Sequence, residues 1–195
     1  MAKMAAQLAA RTAVAILVIG AVPAAAAEPN LTVVVRVNDL AGVPQQTLVD
    51  AQRIAGRIYS AIGVNVVWTS DPRRAAAAPA AMRLEAQLLS RTREQSFLRG
   101  TGAAKTVLGY APLSISRVYL FYHRIDLLAS AWGEPVGLVL GRALAHEIGH
   151  QLLPALGHSE TGIMRAELDH KSPADPLFTS DQRQAIQNLL AAARS

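Results

Sequence analysis

The amino-acid sequence predicts an α+β fold, and three features of it do so. Segments that are β-branched, or that alternate apolar with polar residues, fall in the first two thirds of the chain. One helix-spaced stretch separates the first two of them, and helical spacing takes over from about Leu138.

Taken in order, LTVVVRV (31–37) is rich in valine and reads as a buried strand. In 44–63, Leu48, Ala51, Ala55, Ile58 and Ile62 recur at helical spacing, with Pro44 near the start and Gly63 as a stop. VNVVWT (64–69) is a second strand, and the Ala/Pro run at 75–81 reads as a connector. MRLEAQL (82–88) alternates Met82, Leu84, Ala86 and Leu88 with polar neighbours, a period of two that favours a strand. TVLGYA (106–111) and RVYLFYHRI (117–125) read as two more strands. Gly109 marks the first of these as an edge strand or a bulge. The helix that follows ends before Pro154, because a proline pushes the preceding Leu153 out of the α region. A last helix lies in FTSDQRQAIQNLLAAA, where Thr179 and Gln182 have capping-box spacing. The order is strand, helix, four strands, helix, irregular turn, helix.

The N-terminus has the pattern of a secretory signal peptide: Lys3 and Arg11, the apolar run AVAILVIGAV, and a small-residue cleavage site at Ala25 and Ala27. The run is too short for a spanning helix. A signal at 1–27 leaves one domain, 28–195, expected to be a monomer that is secreted or otherwise extracytoplasmic (periplasmic), with no stable membrane insertion. Losing Lys3 and Arg11 lowers the formal charge from +5 to +3. The remaining arginines are scattered, with small clusters only at DPRR and SRTR, and are not interleaved with aromatics, which argues against a nucleic-acid partner. The chain has no cysteine, so an exported domain must rely on packing in place of disulfides, with a metal as a further option. Asn30, in NLT, fits a glycosylation acceptor.

The chemistry concentrates in RALAHEIGHQLLPALGHSETGIMR (142–165). His146 and His150 are four residues apart, so a helix presents both imidazoles to one metal ion. Glu147 is turned about 100° from His146 and is free to act as a base rather than a ligand. Zinc suits this set: it binds neutral imidazole, takes three protein ligands in a catalytic site, and makes water acidic, while a carboxylate accepts the proton and delivers it to the leaving amine. H-E-x-x-H arises in roughly 0.5% of shuffled chains of this composition, so chance is a poor explanation. Gly149 costs about 1 kcal/mol inside a helix and suggests a close approach by another segment. Pro154 and Gly157 turn the chain back, which makes His158 the third ligand; Glu160 and Glu167 are the alternatives. His123, in a predicted strand, and His170, in a predicted loop, are read as packing or surface residues.

HEIGH (146–150), the Gly-His-Ser triplet at 157–159 and GIM at 162–164 resemble the metzincin clan of zinc endopeptidases, and within it the matrixins. FTSDQRQAIQ is similar to the start of the clan's last helix. The resemblance implies a twisted, mostly parallel sheet with an antiparallel edge strand, packed against a long N-terminal helix and an active-site helix. It also implies Zn2+ on His146, His150 and His158, Glu147 as general base, Met164 in a turn under the metal, and a peptide or protein substrate. The sequence departs from the pattern in the eight-residue interval from His150 to His158, in Leu153 at the halfway position, and in having no tyrosine after Met164. A non-catalytic exported zinc protein and a zinc amidase acting on a non-protein substrate are the competing readings.

Overall fold

The computed structural model describes residues 31–101, 107–168 and 176–193. The signal segment, Asn30, Thr106 and His170 lie outside them. The chain runs β1 (Leu31–Leu40), α1 (Gln45–Ser60), β2 (Val64–Thr69), α2 (Pro72–Ala77), β3 (Met82–Leu89), α3 (Arg91–Thr101), β4 (Gly109–Tyr110), β5 (Arg117–Phe121), α4 (Tyr122–Trp132), α5 (Val136–Leu152) and α6 (Ser180–Ala192). The five strands form one mixed sheet in the order β2-β1-β3-β5-β4. β1 is parallel to β2 and β3, β3 is parallel to β5, and β4 is antiparallel to β5 at the edge.

The strands are therefore not gathered first, as the sequence suggested, but interleaved with helices. Parallel neighbours need a crossover of a dozen or more residues, and helices supply it here. α2 takes in the first residues, 75–77, of the stretch expected to be a connector. Asp71 caps it by accepting from the Arg73 amide, Pro72 opens it, and alanines propagate it. α3 has almost no apolar periodicity; Phe97 is its anchor, its ring tilted against Tyr119 at 4.4 Å and Phe121 at 5.9 Å between centroids. RVYLFYHRI is not one strand: β5 stops at Phe121 and α4 starts at the next residue, with no Gly or Pro to mark the change. His123 is thus a helical residue.

Alternation along β1 turns Val33, Val35 and Val37 into the main core, against α1 and α5. On the other face Arg36, Glu85 and Arg117 stand in register on three adjacent strands, and Glu85 pairs with the arginines at 2.8 and 3.0 Å. α5 is apolar nearly all round and is correspondingly buried along almost its whole length. A side chain at Gly141 would sit 2.7 Å from Ile54 Cβ and 2.8 Å from the Ala51 carbonyl, so this glycine lets α1 and α5 pack closely against each other. Among the described residues no helix is long and apolar enough to cross a membrane.

Candidate metal centre and cleft

The buried position of α5 fixes two histidines before any ligand is considered. His146 is 8% exposed, and its Nδ1 lies 2.9 Å from the Ile163 carbonyl. A carbonyl only accepts, so Nδ1 carries the proton and Nε2 presents its lone pair. His150 Nε2 lies 3.1 Å from that atom. Two nitrogens each about 2.0–2.1 Å from one tetrahedral ion stand roughly 3.3 Å apart, so the pair has the spacing of two ligands.

His158 completes the group. Its ring stacks on His146 at 5.2 Å between centroids and lies 4.9 Å from His150. One donor atom from each of the three lies within 4.8 Å of the others. Neither Glu160 nor Glu167 belongs to this group; Glu167 lines the adjacent cleft and Glu160 is exposed. The chain covers the long interval by leaving helical geometry at Leu153 (φ −127°, ψ 54°) and closing a turn from the Leu156 amide to the Leu153 carbonyl, 2.9 Å. Gly162, at φ 78°, begins a second turn, where the Ile163 amide donates to the Leu177 carbonyl at 3.0 Å and the Ile163 carbonyl receives His146. Met164 follows, fully buried against Gly149; a Cβ there would collide with Met164 Sδ. That contact accounts for the helical glycine.

Burial lowers the pKa of His146, with the Ile163 carbonyl opposing and His158 adding to the fall. Burial, then the neighbouring His146 and His158, push His150 down to about 4. Both rings are neutral near pH 7, the form that binds a cation. Neutral imidazoles converging with lone pairs are the donor set zinc prefers, and the three histidines form a group suited to zinc.

Glu147 is buried, and burial pushes its carboxyl up to about 8. Its side chain packs on Gly109 of β4, where a Cβ would stand 2.6 Å from Glu147 Cγ and 2.7 Å from Oε1. Sequence reasoning took Gly109 only as a sign of an edge strand; its tie to Glu147 depends on a contact between distant segments and has no local signal. A cleft of about 1230 Å³ opens over His146, Glu147, His150 and His158. β4 forms one wall and Leu127, Leu128 and Trp132 of α4 another. The sequence suggested a strand through Ile125 and no element over 126–137, so the α4 residues of this wall had no place in it. Arg124, also on α4, donates to the Val107 carbonyl at 2.7 Å and to Glu94 at 2.6 Å, tying α3 and the approach to β4 beside the cleft.

A scan against protein-family models finds no match, and a search of curated proteins finds none. Solved structures do match. One is a zinc-dependent peptidase from Methanocorpusculum labreanum, with a TM-score of 0.51 and 14% identity over 80% of this chain and 100% of the other. Another is an archaemetzincin from Methanopyrus kandleri, with a TM-score of 0.47 and 15% identity over 83% of this chain and 96% of the other. At these identities the likeness is one of fold. The chain is therefore an α/β protein with a mixed five-stranded sheet, similar in fold to a zinc-dependent peptidase, and it carries three histidines grouped as zinc requires.

Proposed function

We propose that this chain is a zinc-dependent peptidase of metzincin type, with His146, His150 and His158 as ligands and Glu147 as general base. The observation that carries the reading is the convergence of three histidines beside a buried glutamate in an open cleft. The matrixin-like HEIGH, GHS and GIM segments support it, and the signal-like residues 1–27 support an exported, single-domain protein.

When bound, zinc acidifies a water molecule and polarises the scissile carbonyl. The chain's own residues do the rest. The Ile163 carbonyl orients His146 and fixes its tautomer. Glu147 accepts a proton from water at its carboxylate and passes it to the leaving nitrogen as the C–N bond breaks. Burial holds the Glu147 carboxyl up at about 8, close to neutrality, where a group that takes up a proton and gives it back works best. The Leu108 carbonyl accepts from the Phe121 amide at 2.8 Å and so faces β5; by alternation the N–H and C=O of Gly109 face the open edge. An extended peptide can add there as a further strand, with its side chains in the cleft. A closed structural zinc site would have no use for a buried base next to such an edge.

Gly109→Ala tests this arrangement. The added methyl must displace the Glu147 carboxyl, and a shift of about 1 Å at a catalytic group can cost on the order of 100-fold in rate. The expected result is a kcat for an unstructured peptide lower by about that factor, at unchanged zinc content. Unaltered kcat would mean that Glu147 does not work from the position it holds here.

A further inference from the structure

We propose that Gln182 on α6 is a positioning residue that sets His158 for metal binding through Ser159; this rests on His158 being a ligand. The two helical histidines need no such help, since a buried helix holds them. His158 is exposed and lies in a stretch after Pro154 without regular secondary structure. What anchors it is its neighbour. The Ser159 amide donates to the Met164 carbonyl at 2.9 Å, the Ser159 hydroxyl donates to the Thr161 carbonyl at 2.8 Å, and the same hydroxyl accepts from Gln182 Nε2 at 3.0 Å.

Gln182 is 5% exposed and uses both ends of its amide. Oε1 accepts from the Thr179 amide at 3.0 Å, closing the capping box that starts α6, while Nε2 reaches across to Ser159. α6 is itself fixed to the core by buried Ile186 and Leu190, and by Gln187 donating to the Ile62 carbonyl at 2.9 Å. The helix that closes the fold thereby holds the turn that carries the third histidine. A capping box works with glutamate as well as glutamine, so the box alone does not require the Nε2 donor. The donor serves Ser159.

That distinction gives the test. Gln182→Glu keeps an acceptor for Thr179 and removes the donor to Ser159; Ser159→Ala removes the hydroxyl and leaves the box intact. Gln184→Glu, on the exposed side of α6, makes the same charge change as a control. Zinc affinity is measured on the full chain by competition with a chromophoric chelator, and unfolding of the metal-free protein is followed in parallel. Groups that hold metal ligands are typically worth about 10–100-fold in affinity. Gln182→Glu and Ser159→Ala should each weaken zinc by about tenfold and the double variant little more, with the metal-free unfolding midpoint and the control unchanged. Affinity lost in His158→Ala but intact in both Gln182→Glu and Ser159→Ala overturns this proposal alone. Affinity that survives His158→Ala overturns the ligand assignment and this proposal with it.

Discussion

Glu147→Ala should bind one zinc per chain and cleave peptide at least about 10²- to 10⁴-fold more slowly, the range that general acid–base catalysis supplies. The side chain lies apart from the ligand group, so its removal leaves the three donor nitrogens in place. It lines the cleft beside them, packed on Gly109, and is buried where Glu167, the other described carboxylate lining the cleft, is exposed. A second effect separates loss of the base from damage to the fold. In the metal-free protein the folded-state pKa of Glu147 is about 8, above its ordinary 4.5, so the folded state keeps a proton that the unfolded chain releases. That contribution to stability is complete below about 4.5 and disappears as pH rises through about 8. The metal-free variant should accordingly lose less stability than the parent between pH 5 and pH 8, measured by denaturant unfolding. Parental turnover in the variant would remove Glu147 from the mechanism.

His158→Ala should weaken zinc binding by more than the roughly 100-fold that marks the upper end for a supporting group, because it removes a ligand itself. Glu160→Ala should leave affinity unchanged. The two residues are separated by Ser159 alone, yet only His158 joins the group whose donor atoms lie within 4.8 Å. Its ring stacks on His146 at an interplanar angle of 27°, with the Pro154 turn and the Ser159–Met164 hydrogen bond returning the chain to the helix end. Chelator competition on the two purified variants decides the matter. The reverse order of affinities would make this a carboxylate-ligated centre.

What could be read from the sequence was whatever depends on neighbours close along the chain. The spacing of His146 and His150 is a property of one helix, as is the stop at Pro154, and the capping box of Thr179 and Gln182 spans one turn. The strands read at 64–69 and 82–88 were legible because their β-branched or alternating residues match a half-buried sheet. The helices that went unread had weaker marks. α2 carried an Asp-Pro start that was outweighed by the look of an alanine connector. α3 buries only Glu94 and half-buries Phe97 and Leu98, and α4 begins without a break in apolar content. The relation of Gly109 to Glu147, and of Gln182 to Ser159, joins residues 38 and 23 positions apart. Such contacts follow from the sheet order and the path of the chain, which no local pattern encodes.

The histidine group should hold the one metal that the cleft needs for hydrolysis. The direct measurement is titration of zinc into the metal-free chain while cleavage of an unstructured peptide is followed. Activity should be absent without metal, rise in proportion to added zinc and level off at one equivalent, while Glu147→Ala takes up the same equivalent without cleavage. A parent chain that cleaves without zinc, or that fills with one equivalent and cleaves nothing, would contradict it.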